Sequence, residues 1–212
     1  MHKKLDADSH ENTAWNNSDI VLSLILLNLA GGDHVEDLGI MEKDAGFCKL
    51  YEKISTFGLP KSERRALRRN RQQQGCGALP SRSTVFRFLK QDGDEGLAER
   101  GHGKAYIPSA GQTAQQLCDC NSALLAALEH NKPSTTITLD MDATLIETHK
   151  ADSLYCHKKY TAYQPMNVWW AEQQVMPHTQ FRDGNVPADY ALPPVLQEAI
   201  SCLPKGIGKK QM

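Results

Sequence analysis

The chain has 212 residues, 40% of them hydrophobic, enough for one large domain or two small ones with a packed core. A formal net charge of -1 names no partner, and the most apolar run, Ile20 to Ala30, is well short of the about 20 residues a bilayer span needs, so no membrane role is expected. The start, Met1 to Trp15, is polar and carries no secretory signal, and the six cysteines lack zinc-ligand spacing and read as free thiols of a cytoplasmic protein.

Residues 1–14 read as a disordered lead. Asn17 or Ser18 caps a helix that runs to about Ala30 and is closed by Gly31-Gly32. Asp33 and Glu36 have the spacing of a capping box for a short helix over Val35–Leu38. A third helix covers Glu42 to Ser55, with Phe47, Leu50, Tyr51 and Ile54 at helical spacing, and Gly58-Leu59-Pro60 breaks it. The next segment, Lys61 to Arg71, holds six basic residues against one acid, with an acidic stretch from Asp92 to Glu99 in compensation. On a helix, Lys61, Arg64, Arg65, Arg68, Arg69 and Arg71 share one face. After Gly75 and Gly77, Pro80 and a cap at Ser81 or Ser83 start a helix that turns Val85, Phe86 and Leu89 inward. Gly93 to Pro108 reads as a loop. A long helix over Thr113–His130 carries Leu117, Leu124, Leu125 and Leu128, and Pro133 ends the helical region, 15–131.

Beyond Pro133 the pattern changes to strands: Thr135–Asp142, Met166–Glu172 and Met176–Arg182. A turn at Asp183-Gly184-Asn185 follows, then a helix over Tyr190–Leu203 with Pro193-Pro194 in its opening turn. Residues 205–212 form a basic tail. The first strand is the most informative element. Ile137, Leu139 and Met141 fall on one face, and Thr138, Asp140, Asp142 and Thr144 on the other. Its two carboxylates lie roughly 6–7 Å apart at ~3.3 Å rise per residue. Like charges held that close are tolerated on a solvated, exposed strand face or where a cation compensates them, and the second reading points to divalent-metal or phosphoryl-transfer chemistry. Of Trp169-Trp170 on the second strand, one faces the core and the other solvent or a partner. His149, His157 and His178 lack ligand spacing.

Leu139-Asp140-Met141-Asp142-Ala143-Thr144-Leu145 resembles the first motif of haloacid-dehalogenase-type phosphotransferases, which would make Asp140 a nucleophile and Asp142 a general acid/base. That fold needs a parallel sheet with a crossover helix after the motif, and the short connections here suit an antiparallel meander. A second resemblance covers about residues 15–205. Leu79-Pro80-Ser81-Arg82-Ser83-Thr84, the acidic strand, Tyr163-Gln164-Pro165-Met166 and Phe181-Arg182-Asp183-Gly184-Asn185-Val186 occur in the order and spacing of insertion-sequence transposases of the DDE (Asp-Asp-Glu) class. Leu29-Ala30-Gly31-Gly32-Asp33 and Asp37-Leu38 also suit the helical region of that class, whereas Glu147 to Asp152 departs from the turn rich in Gly, Gln and Glu that much of this branch has there.

The resemblance implies an α+β chain. An N-terminal all-helical region, 15–131, binds DNA, and residues 132–204 form the first half, β-β-β-α, of a ribonuclease-H-like catalytic fold. It implies metal-dependent DNA cleavage and strand transfer. Asp142 is then the preferred Mg2+ or Mn2+ ligand and catalytic acid, with Asp140 its companion. Lys61, Arg64, Arg65, Arg68, Arg69, Arg71, Arg82 and Arg87 are the DNA-binding candidates, with transposon ends as partner, a homo-oligomer as assembly and the bacterial nucleoid as location. The class places its second Asp on a fourth strand and its Glu in a later helix; Asp152, Asp183 and Asp189 do not match those positions. The expectation is the N-terminal part of a longer transposase, inactive alone, serving as a DNA-binding competitor or remaining as a non-functional remnant.

Overall fold

The computed structural model describes residues 14–91, 107–150 and 153–205. The expected disordered lead (but for Ala14), most of the 93–108 loop and the tail beyond Lys205 lie outside the described residues. The chain divides into two compact units, Met1–Asp92 and Gly93–Met212.

Five α-helices build the described part of the first unit: α1 (Asn17–Leu29), α2 (Leu38–Met41), α3 (Ala45–Ser55), α4 (Lys61–Gln73) and α5 (Arg82–Leu89), with a 3-10 turn at Val35–Asp37. Helix α1 opens at Asn16, whose N–H donates to Asp19 Oδ2 at 3.2 Å. It closes on Gly31, which has φ +84, and the Gly32 N–H donates to Leu27 O at 3.0 Å. The second cap differs from the expected Asp33–Glu36 box. Asp37 reaches back to accept from the Asp33 and His34 N–H groups at 3.1 and 3.0 Å. Helix α3 starts at Ala45 rather than Glu42, because the Asp44 carboxylate accepts from the N–H groups of Gly46 and Phe47 at 2.7 and 3.0 Å. Glu42, outside the helix, is free to accept from the Ala78 and Leu79 N–H groups at 2.7 and 3.3 Å. A side chain on Gly77 would collide with that carboxylate.

The core of this unit gathers Ile20, Val21, Leu26, Leu27, Leu38, Tyr51, Leu79, Val85 and Phe88. Ser81 caps α5 by accepting from the Thr84 N–H. The inward face of α5 is Val85 and Phe88; Phe86 and Leu89, expected inside, are exposed. Phe88 lies three residues from Val85 and Leu89 four, so both fit a helical stripe, and the partners on α1 and the 3-10 turn decide between them.

The second unit holds α6 (Gln112–Asn131), strands β1 (Leu139–Ala143), β2 (Ile146–Glu147), β3 (Leu154–Tyr155), β4 (Thr161–Tyr163), β5 (Met166–Trp170) and β6 (Val175–Gln180), and α7 (Leu192–Cys202). The longer strands form an antiparallel sheet in the order β1-β5-β6; the others form a small sheet, β2-β4-β3, in the connection between β1 and β5. That small sheet has no counterpart in the expected elements, since strands of two or three residues are too short to show a period. Leu139, Met141, Ala143, Met166 and Val168 pack on Val195, Ala199 and Leu192 of α7. Pro193 and Pro194 occupy the first turn of α7, where their missing N–H groups would have no helical acceptor.

Helix α6 packs against β6 and α7. Asn121 Nδ2 donates to the Met176 and Pro177 carbonyls at 3.2 and 3.0 Å, and Gln173 Nε2 donates to Glu129 Oε2 at 2.8 Å. The β5–β6 turn is thereby tied to the end of α6. The Asp183-Gly184-Asn185 turn closes with the Val186 N–H on Asp183 O at 3.1 Å. Gly184 lies so close to the Ala162 carbonyl of β4 that a Cβ would clash with it.

Candidate functional site

Strand β1 has alternating burial, with Leu139, Met141 and Ala143 turned toward α7 and Asp140 and Asp142 exposed on the opposite face. The alternation read from the sequence thus places both carboxylates on one side of the sheet. Their cross-strand neighbours are fixed by register: Asp140 faces Trp169 and Asp142 faces Asn167, which in turn faces Thr179. A polar relay runs across that face. Thr144 Oγ1 donates to Asp142 Oδ2 at 3.2 Å, Asn167 Nδ2 donates to Thr144 Oγ1 at 3.4 Å, and Thr179 Oγ1 donates to Asn167 Oδ1. Asp142 is held in the relay, and its second carboxylate oxygen is not engaged by these bonds.

Asn167 and Thr179 were not singled out as site residues by the sequence. The signal was present, since Met166-Asn167-Val168-Trp169 alternates apolar and polar positions and puts Asn167 on the face of Trp169. What was missing was the β1–β5 register that sets Asn167 opposite Asp142.

The start of β1 is clamped. Thr138 donates through its N–H to Glu172 Oε2 at 2.9 Å and through its hydroxyl to Glu172 Oε1 at 2.7 Å. These bonds favour the charged carboxylate and hold Glu172 below the ordinary glutamate range.

All donors on the acidic face are hard oxygens and one amide, which suits Mg2+ or Mn2+ rather than a thiolate-seeking metal. Among the described residues no group of three His, Cys, Asp or Glu side chains is placed to hold a metal ion. All six cysteines are free. His178 Nε2 lies 3.1 Å from Glu198 Oε2.

The basic candidates lie in the other unit and fall into two kinds. Lys61, Arg64, Arg65 and Arg69 on α4 and Arg87 on α5 are exposed. Arg68, also exposed, donates through Nε to Glu52 on α3, and Arg82 Nη1 lies 3.5 Å from Glu36 Oε1. Arg71 turns inward. Its Nη2 donates to Asp19 Oδ2 at 2.9 Å and its guanidinium lies 3.9 Å from the centroid of Trp15. Trp15 meets Tyr51 edge-on with centroids 6.0 Å apart, and the Tyr51 hydroxyl donates to Asp19 O at 3.1 Å. No residue of α4 is fully buried, so Arg71 is a main tie of this helix to α1.

No helix among the described residues is long and apolar enough to cross a membrane. Comparison with curated proteins and with solved structures gave no match. The family model described as transposase DDE domain group 1 matches residues 3–210. With that match spanning nearly the full length, and the acidic β1 inside it, the chain belongs to the DDE transposase family.

Proposed function

We propose that this chain serves DNA transposition by carrying the first acidic strand of a ribonuclease-H-like catalytic domain together with a basic helical surface that holds DNA. The observation that carries the reading is the pairing of Asp140 and Asp142 on the open face of an antiparallel three-stranded sheet whose other face is closed by α7, in a DDE transposase chain. An antiparallel neighbour for β1 supports this reading over the phosphotransferase one, which needs parallel neighbours.

Asp142 is the metal-ligating carboxylate and Asp140 its companion. Thr144 and Asn167 fix the Asp142 side chain so that one oxygen stays available. Bound Mg2+ or Mn2+ would supply Lewis-acid activation of a phosphodiester there. Lys61, Arg64, Arg65, Arg69 and Arg87 contact DNA phosphates, each neutralised phosphate adding a salt-sensitive increment of affinity. Arg68 and Arg82 contribute less, since their charges are already shared with Glu52 and Glu36. Two metal ions held for cleavage need more carboxylates than this pair provides, so the polypeptide by itself binds transposon-end DNA without cutting it.

Terbium luminescence excited through tryptophan tests the acidic site, because Tb3+ takes the same hard oxygen donors. Asp142→Asn is expected to lower the metal-dependent signal several-fold; an unchanged signal sinks the assignment. Incubation of the chain with labelled transposon-end DNA and Mn2+ is expected to give a gel shift and no new strand ends. Cleavage that Asp142→Ala abolishes would overturn the claim of inactivity, and absence of any shift would overturn the DNA-binding claim.

A further inference from the structure

Adjacent tryptophans on β5 have opposite fates. Trp170 is fully buried and Trp169 is 40% exposed. Trp169 stands on the acidic face, directly across from Asp140 in the β1–β5 register, with Thr138, Asp142 and Asn167 at neighbouring positions; on its β6 side the register slips between Val168 and Trp170, which leaves Met176 and Pro177 between the paired His178 and Val175. Directly opposed residues on one sheet face have Cβ atoms about 4.5–5.5 Å apart, so the indole lies beside the carboxylate pair. On its β1 side the ring has only polar neighbours, so the part of it left exposed is not used in packing. What it offers there is a flat π-surface open to solvent.

We propose that Trp169 is a positioning residue that stacks an unpaired DNA base next to the phosphodiester delivered to Asp140 and Asp142. This rests on the transposase reading above and adds to it the form of DNA the site accepts. Bases inside a duplex already stack on their neighbours and offer no free face. An indole platform therefore selects a base at a frayed end or in a single strand. Stacking is indifferent to base identity and carries no charge. Trp169 thus sets strand form and register, while the basic residues of α4 supply the salt-dependent part of the affinity.

The protein contains a built-in reporter. Of its tryptophans, Trp15 and Trp170 are buried and Trp169 is accessible. Oligothymidylate is expected to quench the accessible emission, and blunt duplex DNA of equal length to leave it nearly unchanged. Binding is followed in parallel by fluorescence anisotropy of labelled DNA. Trp169→Ala should weaken oligothymidylate binding about tenfold and leave the slope of affinity against salt unchanged. Trp169→Phe, which keeps a stacking face, should retain most of the affinity. Oligothymidylate that binds by anisotropy without quenching, or with equal affinity to wild type and Trp169→Ala, overturns the stacking proposal and leaves the transposase reading standing. Failure of every DNA to bind overturns both.

Discussion

Arg65 and Arg71 share the basic face of α4 in the sequence and differ in what they do for the molecule. The Arg71 side chain is only 12% exposed and pairs with Asp19, which is 7% exposed, beneath the Trp15 ring. Removing one partner of a buried pair strands the other charge, so Arg71→Ala is expected to cost about 3 kcal/mol of stability in urea denaturation. Arg65→Ala should change stability by no more than about 0.5 kcal/mol and lower the salt slope of DNA binding by about 0.9, one phosphate contact. Equal stabilities of the two variants would remove Arg71 from the core. The sequence made the six-fold basic face legible, because helical spacing depends only on neighbours along the chain. It left the inward turn of Arg71 hidden, since Asp19 is 52 residues away and only the tertiary fold brings them together.

At the level of elements, β1 is positioned by what lies at its ends. Its period was readable because apolar and acidic residues alternate without a break. The strand starts at Leu139 where the sequence pattern predicts Thr135, because nothing local distinguishes the threonines before Leu139 from strand residues. Glu172, from the β5–β6 turn, takes both Thr138 donors just before pairing with β5 begins. The Glu172 carboxyl is depressed below its ordinary 4.5 in the fold, so its contribution is complete above the unfolded value and is lost as pH falls through the folded one. Wild-type protein should therefore lose stability steadily on acidification below about pH 4.5, and Glu172→Gln should lose less over that interval while starting lower at neutral pH. Parallel pH curves for the two proteins would show that the clamp does not matter. Helix α5 illustrates the opposite case, where the element was legible and its inner face was not, because Phe88 and Leu89 are equally well spaced from Val85.

Across the whole molecule, a net charge of -1 hides a division of labour in which cations collect on α4 and α5 in one unit and the carboxylate pair stands in the other. The order helices, strands, helix was legible from the change of period at Pro133. The packing of α6 with the sheet was not, because its apolar residues look alike whichever partner they meet. In the described sheet β1 has one strand neighbour, β5, and its other edge carries backbone donors and acceptors that a second copy could meet. If two copies of Leu139–Ala143 paired antiparallel about Met141, each Asp140 would face an Asp142, and like charges directly opposed disfavour that pairing. On that geometry the two acids would guard the edge against self-association. The usual way of silencing such a site, replacing both with asparagine, would also remove the guard. Asp140→Asn with Asp142→Asn is expected to scatter more light and elute as larger species at concentrations where Asp142→Glu remains unchanged. A loss of function in the doubly neutralised protein would then report on particle size as much as on chemistry.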